Sequence, residues 1–201
     1  MSSITTRPAT HDDIPRMLEV FFSAFSSSPL NERCFPPSSQ EVQDWQENLI
    51  QRNIDNKDDN YLIVAEQDSC ILGWARWARR EQPLPGKQIK RSTFPTSGDQ
   101  ETARYFFQAN NDAAIKYIAG EKHWFLSTIA VAKEGQRRGV GSALMKFGVE
   151  KADEEGWMSY LNSSQEGKGL YGKFGFKVSG TSEFPELGMV QYHMRRESVR
   201  S

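Results

Sequence analysis

Apolar residues along this chain recur at two spacings, and these spacings predict its secondary structure. Apolar side chains three and four positions apart indicate amphipathic helices, whereas short apolar or alternating runs between turn residues indicate strands. The strand patterns cover residues 4–8, 61–66, 71–78, 123–131, 158–161, 176–179 and 189–194. The helical patterns cover residues 14–25, 100–119, 140–155 and 166–173, and a further helix begins at Ser38 or Ser39.

Two stretches between these elements lack a periodic pattern. Residues 26–39 contain Pro29, Pro36 and Pro37 and predict a loop. Residues 81–98 are rich in proline and glycine and are expected to be the least regular part of the chain. Because long insertions are often functional, we expect residues 81–120 to help cover a binding site.

Length and composition narrow the class of protein. With 201 residues the chain is long enough for a sizeable core, and residues 1–201 are expected to form one domain. The formal net charge of −1 gives no reason to expect nucleic acid or an anionic membrane as a partner. Cys34 and Cys70 form neither a disulfide framework nor a metal-ligand spacing, so we expect no metal and a reduced setting. No apolar run suggests a signal peptide or a membrane span, and the expected location is the cytoplasm.

The stretch of residues 136–142 separates a predicted strand from a predicted helix and carries the clearest chemical signal. The first turn of a helix leaves main-chain N–H groups without partners and bears the positive end of the helix dipole. Gly139 and Gly141 have no Cβ to keep an anion from those amides, and Arg137 and Arg138 add positive charge. The turn therefore predicts a site for a pyrophosphate.

The residues around this turn discriminate between phosphate-binding motifs. A P-loop would need Lys followed by Ser or Thr after the last glycine, where this chain has Ser142 and Ala143. A dinucleotide-binding fingerprint would need a third glycine and an acidic residue that closes a βαβ unit. Neither motif is predicted here.

Two segments share their spacing with one known family. The turn reads Gln-x-x-Gly-x-Gly at Gln136, Gly139 and Gly141, and residues 170–176 read Leu-Tyr, three further residues and Gly-Phe. In this order and at this separation, the two motifs resemble the GNAT superfamily of acyl-CoA-dependent N-acyltransferases. Residues 7–14 also resemble the opening strand and helix of that family.

The resemblance implies an α/β fold with three αβα layers and a mixed, mostly antiparallel central sheet. It also implies acetyl-CoA as the cosubstrate, with the pantetheine arm in a gap between two splayed strands and bonded to the main chain of Ile129 and Val131. The family's asparagine seven residues before the motif tyrosine is Ser164 here, with Asn162 two residues earlier. Which of these two contacts the cofactor is left open. The pyrophosphate would lie against Gln136, Arg137, Arg138, Gly139, Val140, Gly141 and Ser142.

Acetyl transfer to an amine requires a neutral amine beside the thioester and a proton for the leaving thiolate. The resemblance assigns the proton to Tyr171, because the family aims a tyrosine at the sulfur from this position. A phenol with an ordinary pKa of about 10 is protonated at neutral pH. No cysteine lies in either motif to carry an acyl group, so direct attack by the amine in a ternary complex is expected.

No general base is assigned by the sequence. Strict alternation along residues 123–131 would place four side chains on one face: Phe125, Ser127, Ile129 and Val131. Only the serine among them is polar, and it is a poor base. Three titratable residues elsewhere are expected to be solvated or bonded to the main chain: His123, Glu66 and Glu134.

The acceptor is expected to be a small-molecule primary amine, held by a protein that is a monomer or a homodimer. Protein lysine, a hydroxyl acceptor and an acyl-CoA sensor without turnover are the alternatives. Arg76, Arg79 and Arg80 form a basic cluster that would suit nucleic acid, but such arginines at a strand end are expected to be solvated. The pocket is expected to draw on Phe22, Phe25, Leu30, Phe35, Trp45, Trp74 and Trp77.

Overall fold

The structure is a computed structural model that describes residues 3–56, 58–82, 86 and 88–199. The strands and helices of these residues follow one another as β1 (Thr5–Pro8), α1 (Ile14–Ala24), α2 (Pro29–Cys34), α3 (Gln40–Asp55), β2 (Asn60–Gln67), β3 (Cys70–Arg80), α4 (Gln100–Ile118), β4 (His123–Val131), α5 (Val140–Glu155), β5 (Met158–Ser163), α6 (Lys168–Lys173), β6 (Lys177–Phe184) and β7 (Met189–Arg196). Short 3-10 helices lie at His11–Asp13, Arg91–Thr93, Lys133–Gly135 and Pro185–Leu187.

The strands form one seven-stranded sheet in the order β1-β2-β3-β4-β5-β7-β6. Every neighbouring pair is antiparallel except β4 and β5, which are parallel and are connected by the crossover helix α5. The predicted fold class, a mixed and mostly antiparallel sheet between helices, is confirmed.

Helices cover both faces of the sheet. Helix α5 packs on one face, which we call the α5 face, where Trp77 of β3 is fully buried and its Nε1 donates to Leu144 O at 3.2 Å. The approach is close, since a Cβ added to Gly148 would lie 2.0 Å from Cε2 of Trp77. Helices α1, α3 and α4 pack on the other face, which we call the α1 face.

Two predictions of secondary structure differ from the structure by more than two residues. Residues 26–39 are not a continuous loop, because α2 begins at Pro29, where a missing N–H costs no helical hydrogen bond. Ser28 Oγ caps this helix by accepting from Asn31 N at 3.4 Å, and Leu30 and Cys34 are buried beneath it. Strand β6 extends to Phe184, beyond the predicted residues 176–179, because β7 pairs with it along its whole length.

No helix among the described residues is both long and apolar enough to cross a bilayer. Part of the stretch predicted to be irregular, residues 83–85 and 87, lies outside the described residues.

Candidate active site

A tight turn with left-handed residues connects β4 to α5. Arg137 has φ +58° and Gly139 has φ +92°. The first hydrogen bond of the helix runs from Ala143 N to Gly139 O at 3.0 Å, so the amides of residues 140–142 precede the helical bonding. Free amides at a helix start, together with left-handed turn residues, form a concave main-chain surface with a positive electrostatic potential. The turn therefore has the geometry of an anion-binding site.

The two arginines of this turn differ in their contacts. Arg138 folds back over the turn, where Nη1 donates to Glu134 O at 3.1 Å and Nη2 donates to Gln67 Oε1. Arg137 is exposed, and its guanidinium bonds to none of the described residues. Gln136 is also exposed and donates from Nε2 to the last carbonyl of β4 at 3.3 Å. Arg137 is thus free to reach a bound anion, whereas Arg138 and Gln136 brace the turn.

Strands β4 and β5 pair only over residues 123–126 and 158–161, and beyond these residues they separate. Ala132 N donates to a main-chain oxygen of β3 at 2.9 Å. Because main-chain groups alternate between the two edges of a strand, those of Ile129 and Val131 point to the side that β5 has left. An extended ligand can bond to such an open strand edge as an added strand would.

A β-bulge interrupts β4 at the point of separation. Thr128 pairs with Arg76 and Leu126 with Trp77, so Ser127 is an extra residue opposite β3. The Ser127 Oγ donates to the main-chain oxygen of Arg76 at 3.2 Å. Bulges change the direction of a strand and re-aim its side chains, and they are common next to active sites.

The bulge overturns the predicted face of β4. Phe125 packs with Tyr160 on the α1 face, whereas Ile129 and Val131 pack against the cluster of the α5 face. The prediction that Phe125, Ser127, Ile129 and Val131 share one face is therefore wrong. The physical reason is the extra residue, which inverts the period-two alternation beyond it.

Tyr171 lies in α6, buried in the same cluster as Leu126 and Leu161, the last paired residues of β4 and β5. Its hydroxyl bonds to none of the described residues. Burial raises the pKa of Tyr171 to about 12. The phenol is therefore neutral at physiological pH, and no protein acceptor competes for its proton.

Ser164 and Asn162, the two residues left open for cofactor contact, have different partners. Ser164 Oγ accepts from Gly167 N at 3.3 Å, at the start of α6. Asn162 Oδ1 already accepts twice, from the Tyr160 hydroxyl at 3.0 Å and from His193 Nδ1 at 2.7 Å. The carbonyl of Asn162 is thus occupied by the protein itself.

The Asn162–His193 contact belongs to a network that the sequence did not reveal. Ser182 Oγ lies 2.8 Å from His193 Nε2. Because Asn162 Oδ1 can only accept, His193 carries its proton on Nδ1 and accepts at Nε2 from the Ser182 hydroxyl. Burial lowers the pKa of His193, so the ring is neutral. The members come from three strands, β5, β6 and β7, and no local pattern connects them.

The expectation that the arginines of β3 are all solvated is wrong. Arg79 is ion-paired, with Nε donating to Glu155 Oε1 at 2.9 Å, and Arg80 donates to two main-chain oxygens. Arg76 is half-buried, with Nη2 donating to Asn60 Oδ1 at 2.8 Å and Nε shielded from solvent without a partner. Burial lowers the pKa of Arg76 to about 10, and the charge of Arg80 adds to the effect.

The aromatic residues predicted to form one pocket lie in different parts of the molecule. Trp77 is on the α5 face, because it stands an odd number of positions from Trp74 along β3. Trp74 is buried under α1 and donates from Nε1 to Met17 O at 2.9 Å. A third cluster, on the side of the α1 face, contains Phe22, Leu30, Phe35, Trp45, Phe94 and Phe107.

The three titratable residues considered as bases are engaged elsewhere. Glu66 and Glu134 are ion-paired, with Arg7 and Arg16 respectively, rather than simply solvated. His123 is fully buried, and its Nδ1 lies 2.8 Å from the main-chain oxygen of Glu121. Burial lowers the pKa of His123 as well. Within the described part of the chain, no three His, Cys, Asp or Glu side chains are grouped to hold a metal ion.

Comparison with solved structures gives the same architecture. The chain is similar to a polyamine N-acetyltransferase of Drosophila melanogaster, with a TM-score of 0.74 and 11% identity, over 97% of this chain and 100% of the other. It is similar to the PaiA N-acetyltransferase of Thermoplasma acidophilum in complex with coenzyme A, with a TM-score of 0.60 and 14% identity, over 97% and 99%. A structure described as histone acetyltransferase HPA2 and related acetyltransferase from Corynebacterium glutamicum ATCC 13032 has a TM-score of 0.66 and 23% identity, over 100% and 99%. At these identities the similarity shows the fold.

The family model for the acetyltransferase (GNAT) family matches residues 26–176. This segment includes β4, the turn with its free amides, β5 and Tyr171. The protein is therefore an acetyltransferase-type enzyme, and the chain belongs to the GNAT family.

Proposed function

We propose that this protein, as a single domain of residues 1–201, is an N-acetyltransferase that moves the acetyl group from acetyl-CoA to a primary amine of a small molecule. The observation that carries the proposal is the position of three features around one gap. The open edge of β4 and the free amides at the start of α5 lie where β4 separates from β5, and Tyr171 is buried in the same cluster as the last paired residues, Leu126 and Leu161.

Each feature suits one part of acetyl-CoA. The amides of residues 140–142 and the free guanidinium of Arg137 suit the pyrophosphate, with Gln136, Arg138 and Gly139 shaping the turn. The main chain of Ile129 and Val131 suits the amides of the pantetheine arm. Ser164 supplies a hydroxyl on the far side of the gap. Acetyl-CoA supplies the activated thioester.

Tyr171 would act as the general acid. Its phenol is neutral at physiological pH and has no protein acceptor, so its proton is available to a sulfur that develops negative charge. The amine has to attack as the free base within a ternary complex. Both ring nitrogens of His193 are hydrogen-bonded, to Asn162 and Ser182, and Glu66 and Glu134 are ion-paired. None of these groups is a free base, which favours amines that lose their proton to water.

A kinetic survey tests the proposal. CoA-thiol release from acetyl-CoA would be measured with polyamines, arylalkylamines, aminoglycosides, amino acids and lysine peptides. The similar proteins named for polyamine and agmatine acetylation support small amines. Turnover with one class, with intersecting double-reciprocal lines, is the expected result, because a ternary mechanism gives such lines and an acyl-enzyme gives parallel ones. Bound acetyl-CoA without turnover across the survey would favour a sensor instead.

Arg137→Gln is expected to raise the Kd of acetyl-CoA about tenfold, because it removes a charge-assisted contact with phosphate. The difference should shrink as ionic strength rises, since Arg137 is exposed and its field is screened. Isothermal titration at low and high salt measures both effects. Arg52→Gln, at an exposed arginine near the end of α3, is the control. Equal Kd values for the two variants would show that Arg137 does not contribute to acetyl-CoA binding.

Gly167→Ala is expected to lower kcat by roughly 10- to 100-fold by displacing the general acid. A Cβ at Gly167 would lie 2.9 Å from Cε2 of Tyr171 and 3.0 Å from Oγ of Ser163. Gly167 has φ −73°, so the backbone accepts alanine and only the clash remains. Gly169→Ala is the matched control, because a Cβ there meets no atom within 4 Å. If both variants keep the wild-type kcat, the position of the Tyr171 ring is not critical.

A further inference from the structure

The guanidinium of Arg76 differs from the other arginines that are at least partly buried. Six of them are ion-paired with a carboxylate: Arg7, Arg16, Arg79, Arg104, Arg195 and Arg196. Arg80 donates to two main-chain oxygens. Arg76 has one hydrogen bond, to the neutral amide of Asn60, and its Nε has none among the described residues.

Arg76 has no acidic partner among the described residues. No carboxylate of the described residues bonds to it, and the charged group that acts on it most is another cation, Arg80. The positions outside the described ranges hold no Asp or Glu, because they are Met1, Ser2, Lys57, Pro83, Leu84, Pro85, Lys87, Arg200 and Ser201. A shielded cation without a counter-charge is unfavourable unless an anion joins it.

Arg76 lies beside the gap on the α1 face. It pairs with Thr128 next to the Ser127 bulge, where β4 leaves β5. Its side chain is on the face opposite Trp77, since adjacent residues of β3 point to opposite faces. Helix α4 packs on the same face, over β5, β6 and β7, and two of its own buried polar atoms also lack partners, Asn110 Oδ1 and Asn111 Nδ2. Buried donors and acceptors are nearly always paired, so an unpaired one such as Arg76 Nε is open to a polar ligand or to water.

The chain has no comparable unpaired carboxylate, among its described residues that are not exposed, to bind a polycation. In the described ranges, each carboxyl group that is not exposed is held by an arginine: Asp13 and Glu66 by Arg7, Asp99 by Arg33, and Asp153 by Arg196. A polyamine would therefore find no free buried negative charge, whereas an anionic acceptor would find a free positive one.

We infer that Arg76 binds an anionic group of the acceptor, so that the substrate is a primary amine that also carries a carboxylate or phosphonate, such as an amino acid. This inference rests on the proposed N-acetyltransferase function and names its substrate class. Nε and one Nη of a guanidinium present parallel donors that fit the two oxygens of such a group. Arg76 would hold the anion while the amine reaches the gap between β4 and β5.

Matched substrate pairs test the inference, because members of a pair differ only in the anion. The pairs are L-arginine and agmatine, L-histidine and histamine, and L-tyrosine and tyramine. Ethylamine, β-alanine and 2-aminoethylphosphonate share an aminoethyl group and carry no anion, a carboxylate and a phosphonate, respectively. Comparing their kcat/KM values shows which anion the enzyme prefers. The kcat/KM ratio within each pair would be measured for the wild type, Arg76→Gln, Arg76→Lys and Arg79→Gln. Arg79 is the control because it lies on the same strand, points to the opposite face and is ion-paired with Glu155.

The wild type is expected to prefer the anionic member of at least one pair. Arg76→Gln should reduce that preference about 10- to 100-fold, mainly through KM, since the lost contact is a charged hydrogen-bond pair. Arg76→Lys should retain part of the preference, and Arg79→Gln all of it. A preference for the decarboxylated members, or a ratio that Arg76→Gln does not change, would overturn the inference while leaving the acetyltransferase proposal intact.

Binding provides a readout that does not require turnover. N-acetylated amino acids would be titrated calorimetrically into the wild type and Arg76→Gln in the presence of CoA, with thermal unfolding to verify that the variant is folded. Binding that is lost in folded Arg76→Gln supports the inference even if no amine is acetylated. Equal binding in both, or none in the wild type, overturns it.

Discussion

Tyr171→Phe is expected to lower kcat about 100-fold or more and to leave the affinity for acetyl-CoA unchanged. The phenol has no protein partner, so its removal breaks no hydrogen bond of the folded state, and the ring remains in place. The lost contribution is proton donation to the leaving thiolate, and general acid catalysis typically contributes 10²- to 10⁴-fold. Thiol release under saturating substrates gives kcat, and calorimetric titration gives the Kd of acetyl-CoA.

Two further measurements distinguish this role from a packing role. Tyr61→Phe is the matched control, because Tyr61 also packs against the cluster of the α5 face, beside Trp124. Since burial raises the pKa of Tyr171 to about 12, ionisation of this group should cause no decline of wild-type activity between pH 7 and about pH 10. A wild-type kcat in Tyr171→Phe would mean that another group or water protonates the thiolate.

Gly148→Ala is expected to destabilise the protein by about 3 kcal/mol, although alanine is the better helix former. Helix propensity alone would favour alanine by about 1 kcal/mol. In this helix, however, a Cβ would lie 2.0 Å from Cε2 and 2.2 Å from Cδ2 of Trp77. Trp77 cannot readily yield, because it is fully buried and bonded to Leu144 O. Overpacking of a rigid core typically costs about 1–3 kcal/mol, and a clash this deep belongs at the upper end.

Urea denaturation of both proteins measures the difference as a shift in midpoint at constant slope. Gly172→Ala is the control, since a Cβ there meets no atom within 4 Å and the change tests helix propensity alone. Trp77→Phe should partly rescue Gly148→Ala, because a smaller ring leaves room for the methyl group, and the two changes should not be additive. If Gly148→Ala has the same urea midpoint as the wild type, the close packing of α5 on β3 is contradicted.

The elements that follow from sequence are those with a strong local pattern. The helical spacing of residues 140–155 and the apolar strand before it predict the crossover, and the glycines between them predict the turn with its free amides. The resemblance placed Tyr171 on a short helix after the second splayed strand, and the structure contains this helix. Each of these features depends on residues within a few positions of one another.

The features that sequence reasoning missed depend on pairing between distant strands. The bulge at Ser127 exists only in relation to β3, so alternation counted along β4 alone gave the wrong face. The Asn162–His193–Ser182 network joins three strands through single side chains. Arg76 was taken as one of three solvated arginines, yet counting by twos along β3 would have separated it from Arg79. What distinguishes it, the lack of a counter-charge, is a property of its surroundings and cannot be read from residue type.

The short pairing of β4 with β5 also affects how the molecule is assembled. Strands β1 to β4 are neighbours in chain order, and β5, β7 and β6 form the other half of the sheet. Most pairings therefore lie within one half or the other, where loop closure costs less entropy. Across the centre, the sheet is joined by only four residue pairs, from His123 with Met158 to Leu126 with Leu161. A ligand bound between β4 and β5 would extend the sheet beyond the point where these strands separate. It would therefore stabilise the contact between the two halves of the sheet, which the protein itself pairs through only four residue pairs.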